Sequence, residues 1–254
     1  MKTLIMFLAL LASLSVHASG LNVPKLKLEQ SVALDMYCPT SVPDIPISPL
    51  QLALVARLPL HREALEKKVP WFQAEWDSRG PALLKIATEI VGKPFPMNDL
   101  EAALFLCPTL PFMGTPLAFN VTSYLDVTAK EAGLSKANDL FYFVSTAVHE
   151  VLHKYIKHAL SANGSAILAS TSEDELYESH LHLFALQKRV LEKAGFSARL
   201  WEIEILEGSH GVAYVRAWKA VHGNPKLEAD STPEPTNGKP GSHPVGTGIG
   251  AADP

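Results

Sequence analysis

The sequence predicts a mainly α-helical domain of the α+β kind, and three observations predict it. The chain has 254 residues, 47% of them hydrophobic and 19% charged, a composition that builds a packed core and excludes disordered, collagenous and disulfide-scaffold proteins. Its second half carries apolar residues at helical spacing over long stretches. One segment, Leu117 to Val127, is rich in β-branched and aromatic residues and predicts a strand ahead of those helices. A net charge of -4 supplies no clustered basic face, so no nucleic-acid partner is expected.

Met1 to Ala18 combine Lys2, an apolar run from Leu4 to Leu14 and a Val16-His17-Ala18 end, the pattern of a secretory signal cleaved after Ala18. The run is about 11 residues where a spanning helix needs about 20, so no stable membrane insertion is expected after cleavage. Secreted or periplasmic localisation follows. In an oxidising compartment the two cysteines, Cys38 and Cys107, are expected to pair. Closing a loop of about 70 residues stabilises by about 4 kcal/mol on the chain-entropy estimate.

One domain is expected from 19 to 223, with a helical part over 19–114 and a motif-bearing part over 115–223. In the first part prolines predict short helical pieces. Ser48 caps a helix that Pro49 opens; others run from Leu60 to Val69, from Pro81 to Val91 with Gly92 closing it, and from Asp99 to Leu106. Trp71, Phe72 and Trp76 are expected to pack between helices. In the second part Asn138 caps a helix from Asp139 to about Ala159, which ends at Ser161-Ala162-Asn163-Gly164. Ser172 and Glu175 form a capping box for Glu173 to Ala194, and Gly195 ends that helix. Shorter helices follow at about Ala198 to Leu206 and Val212 to Val221. From Asn224 to Pro254 the chain holds 6 Pro and 5 Gly in 31 residues, the composition of a disordered tail. Asn120-Val121-Thr122 and Asn163-Gly164-Ser165 are glycosylation sequons.

The chemistry-bearing motif is His149-Glu150-Val151-Leu152-His153. Histidines four apart share one helical face and can reach one Zn2+ ion, while Glu150 is placed to act as general base on a bound water. Ten His and 17 Glu in 254 residues would place about 0.03 such HExxH patterns by chance.

With Thr146, Ala147, Val151, Leu152 and Tyr155 around the motif, the chain resembles the zincin metallopeptidases. Lys154 departs from the family's uncharged pattern. Ile156 and Ala159 stand where metzincins carry Gly and a third His, so the resemblance is to the gluzincins, which take a third ligand from a downstream helix. It implies a zincin-like helical domain with a small sheet before the active-site helix, and hydrolysis of a peptide or protein substrate. On the 173–194 helix the candidates for the third ligand are Glu173, Asp174, Glu175, Glu178, His180 and His182. Glu178 is preferred, because Glu175 serves the capping box and Glu173 and Asp174 occupy the solvated first turn; Glu175 and His182 stay open. The resemblance further implies an oxyanion donor from His210 or Tyr214, and a substrate-pairing role for the 117–127 strand. The competing expectation is a zinc-binding helical interaction protein or an inactive peptidase homologue, and 19–114 could be part of the active domain or an inhibitory prosegment.

Overall fold

The computed structural model describes residues 22–36, 38, 47–108, 113–114, 117–133, 139–160, 173–208 and 210–223. The signal segment, the tail, the caps at Asn138 and Ser172, the 161–164 breaker and the Asn163 sequon lie outside the described residues. Within them the order is β1 (Lys25–Gln30), α1 (Val32–Met36), α2 (Pro49–Glu66), α3 (Val69–Val91), β2 (Asp99–Phe105), β3 (Met113–Gly114), β4 (Leu117–Asn120), α4 (Asp126–Ala132), α5 (Leu140–Leu160), α6 (Glu173–Lys193), α7 (Leu200–Gly208) and α8 (Val212–Gly223). The expected mainly helical α+β class is the one observed.

The sheet order is β1-β2-β4-β3. β1 runs parallel to β2 from Lys25↔Asp99 to Gln30↔Leu104, with α2 and α3 in the connection, as a parallel pair requires a long crossover. β2 is parallel to β4, and β3 is the antiparallel strand at the end of the order.

Three expectations are corrected here. The first half is not a set of short pieces: α2 continues through Pro59 and α3 through Pro81. A helical proline costs about 3 kcal/mol, and burial of Leu54, Leu58 and Leu65 on α2 and of Phe72, Trp76, Leu83 and Leu84 on α3 offsets it. Asp99 to Leu106 is not a helix but contains β2. Its residues have good helix propensity, yet Leu100, Ala102 and Leu104 are buried while Asp99 and Glu101 are exposed, and this period of two fits a strand paired on both sides. Finally, the strand from Leu117 stops at Asn120 and gives way to a 3-10 turn at Thr122–Tyr124 and to α4. Asn120 ends it by donating through Nδ2 to the Cys107 carbonyl at 2.6 Å and accepting from the Thr122 amide at 3.0 Å. β4 is therefore interior to the sheet, and the edge next to it is β3.

Other local expectations match. Ser48 and Gln51 form a capping box at α2, Gly92 ends α3 at φ 72°, and Gly195 follows α6 at φ 85°. Cys38 and Cys107 form a disulfide, with Cα atoms 5.5 Å apart. Trp76 and Phe72 are core residues, while Trp71 is 40% exposed.

α5 is the axis of the molecule. From Leu140 to Ile156 nearly every side chain is buried, because α3, α6, β3 and β4 all pack on it. Phe143 meets Phe72, Phe119 and Tyr124 at ring-centroid distances of 4.9, 5.9 and 5.9 Å, and Tyr155 stacks on Phe95 at 4.3 Å. Its start is tied to α7 by Arg199, which pairs with Asp139 at 2.6 Å and Glu202 at 2.7 Å and lies over the Phe141 ring. Among the described residues no helix is long and apolar enough to cross a membrane.

Candidate metal centre

The four-residue spacing on α5 sets His149 and His153 one turn apart, with their Nε2 atoms 3.1 Å from each other. α6 lays a stripe of His180, Phe184, Gln187 and Leu191 toward the core. His180 is 4% exposed and its ring lies 5.6 Å from that of His149 and 5.0 Å from that of His153. Its Nδ1 is 2.7 Å from the Leu176 carbonyl. A carbonyl only accepts, so Nδ1 carries the proton and Nε2 keeps a free lone pair. That Nε2 is buried and has no hydrogen-bond partner.

One ligand nitrogen from each of His149, His153 and His180 lies within 4.8 Å of the others, and the three could hold a metal ion. The donor set fits the group: two nitrogens about 2.05 Å from a tetrahedral ion stand about 3.3 Å apart, close to the His149–His153 separation. Ligation needs neutral imidazole, and the environment supplies it. Burial, then the neighbouring His153 and His180, holds His149 well below its ordinary pKa. Burial pushes His153 down to about 3 and lowers His180 as well.

Two carboxyl groups accompany the imidazoles. Glu150, 7% exposed, is pushed up to about 7 by burial against the opposing pull of Lys154. Glu207 is 1% exposed, and neither of its oxygens makes a hydrogen bond of good geometry. One oxygen lies 3.4 Å from His149 Nδ1. Burial and then the Glu150 carboxylate raise its pKa to about 8, with the Gln187 amide acting in the other direction. The same His149 Nδ1 is 3.1 Å from Gln187 Oε1, and Gln187 Nε2 donates to Ser145 Oγ at 3.4 Å.

The turn between α7 and α8 delivers two more side chains. Gly211 adopts φ 140°, a conformation open to glycine, and beside it the His210 and Tyr214 rings meet edge-on at 5.4 Å. The Tyr214 ring is 4.2 Å from that of His180. Burial, Glu150 and Glu207 raise the Tyr214 pKa, so its hydroxyl stays protonated. His210 is exposed, and partial desolvation lowers its pKa.

His149, Glu150 and His153 thus stand together, with Tyr214 and His210 beside them. Glu178 does not join them. It is exposed on α6, two residues and about 200° of helical rotation from His180. The clustered side chain on this helix is His180, which corrects the preference for Glu178. Glu175 is exposed, and His182 lies about 200° beyond His180 on the other side. Gln187 and Glu207 were not anticipated. A signal for Glu207 does exist: Leu200, Ile203 and Glu207 form the buried stripe of α7, a carboxylate at an apolar position of the pattern. Compared with family models, curated proteins and solved structures, the chain finds no match.

Proposed function

We propose that this protein is an exported zinc-dependent metallopeptidase in which His149, His153 and His180 hold the ion and Glu150 is the general base. The observation that carries the proposal is the buried Nε2 of His180, which has no hydrogen-bond partner and lies in one cluster with the HExxH imidazoles. Zinc, when bound there, supplies a Lewis acid that acidifies water and polarises a carbonyl. Glu150, buried and titrating near neutrality, takes a proton from the attacking water and returns it to the leaving amine. Tyr214, its hydroxyl kept protonated, donates to the developing oxyanion, with His210 as the second donor at that rim. β3, the antiparallel end strand packed beside α5, is where an extended peptide would add by strand pairing. The Cys38–Cys107 disulfide supports export from the reducing cytosol.

The test is zinc content and peptide-library cleavage for the mature protein beside Glu150→Gln. The expected result is one zinc per chain in both, with cleavage by the native protein reduced about 10²- to 10⁴-fold in the variant. Zinc in both with no cleavage of any peptide would favour a structural centre in an interaction protein. Absence of zinc from both, even when offered, would end the metal reading.

A further inference from the structure

The proposed centre has three neutral ligands, whereas the gluzincin resemblance implied an anionic glutamate among them. An ion with two positive charges held by three neutral imidazoles leaves a buried site with a net positive charge, and a buried carboxylate is costly without a partner. Glu207 is such a carboxyl. It occupies the apolar stripe of α7 with Leu200 and Ile203, neither oxygen makes a hydrogen bond of good geometry, the Gln187 amide acts on it, and among the described residues its one ion-pair partner is His149 Nδ1, at 3.4 Å. It lies on the side of the imidazole opposite to Nε2, the atom that faces His153.

Resting on the metal reading above, we infer that Glu207 is the positioning and charge-balancing residue of the centre, acting through His149 and not as a ligand. His149 Nδ1–H donates to Gln187 Oε1, 3.1 Å away, which fixes the ring so that Nε2 offers its lone pair to the ion, while a Glu207 oxygen stands 3.4 Å from the same Nδ1. Gln187 assists the orientation without charge. With the cation bound, Glu207 would carry the negative charge one imidazole removed from the metal, and it would make the ring a stronger donor.

The experiment measures Zn2+ affinity of metal-stripped mature protein by competition with a chromophoric chelator, together with the visible spectrum of the Co2+ form. It uses the native chain, Glu207→Gln, Gln187→Leu, and Glu207→Gln in a His149→Ala background. Glu207→Gln keeps the shape of the side chain, and far-UV circular dichroism verifies its fold. The expected result is affinity about 10- to 100-fold weaker in Glu207→Gln with a shifted Co2+ band, a smaller loss in Gln187→Leu, and no further loss from Glu207→Gln once His149 is absent. Native affinity in Glu207→Gln with a large loss in Gln187→Leu would assign orientation to Gln187 and overturn the inference. An equal loss with and without His149 would also overturn it, since the effect would not pass through that ring. Failure of the native chain itself to bind Zn2+ or Co2+ is a separate outcome, which removes the metal centre and this role with it.

Discussion

Glu178 and His180 stand two residues apart on α6 and face opposite ways: His180 is buried against the imidazoles of α5, and Glu178 is exposed. Metal binding should separate them sharply. His180→Ala is expected to lower Zn2+ affinity by at least about 100-fold, and Glu178→Ala to leave it within about threefold, since removing a ligand costs more than the 10- to 100-fold typical of an outer partner. Stoichiometry by elemental analysis after buffer exchange checks both, and loss of zinc in Glu178→Ala alone would sink the three-histidine set.

Tyr214 lies against His180 with its hydroxyl held protonated. Tyr214→Phe keeps the ring and removes the donor, so kcat should fall about 10²- to 10³-fold, the usual effect of losing one oxyanion donor, while zinc content stays at the native level. A native kcat in the variant would exclude the hydroxyl from catalysis.

Gly80 sits in α3 where a Cβ would meet the Trp76 ring at 2.6 Å. Trp76 is 1% exposed, so the buried ring must shift to admit the methyl group. The overpacking penalty of about 1–3 kcal/mol exceeds the roughly 1 kcal/mol that alanine gains over glycine in a helix. Gly80→Ala is therefore expected to lower Tm, as thermal unfolding followed by circular dichroism would show; an unchanged or raised Tm would mean that the ring moves at no cost.

Asp35 has a buried carboxyl that accepts from the Leu106 amide at 2.7 Å through Oδ1, while Oδ2 makes no hydrogen bond and stands 3.9 Å from Arg62. Burial raises its pKa from 3.8 to about 6. The native state then holds a proton that the unfolded chain releases, so the stabilising contribution is full below pH 3.8 and is lost as pH rises through about 6. The loss is of the order of 3 kcal/mol. Asp35→Asn keeps the acceptor and abolishes the titration. Denaturant unfolding across pH 4 to 7 should give a flatter profile for the variant, and parallel profiles would contradict the assignment.

The parts of the molecule legible in sequence are those where one physical signal dominates. α5, α6 and α8 follow from helical periodicity, and the motif pair on α5 follows from spacing alone. The leucines and alanines of β2 have helix propensity, and only pairing with β4 and with β1, distant in the chain, makes it a strand. α2 and α3 run on through Pro59 and Pro81, where the local cost of proline is visible in sequence and the compensating burial is not. The choice of Glu178 over His180 had a similar origin. Capping logic removed Glu175, but the face of α6 that meets α5 is set by packing, and two residues of error turn a side chain from core to solvent.

Lys25 pairs with Asp99 in the sheet, and Cys38 is joined to Cys107 across 69 positions. Both contacts demand the same long closure, with α2 and α3 inside the loop. Such non-local pairing is slow, because the entropy of closure is lost before the sheet returns any of it. A sulfur link made before the sheet would keep the two ends near one another while β1 searches for its register. Oxidation of this cysteine pair thus bears on the assembly of the chain as well as on its stability.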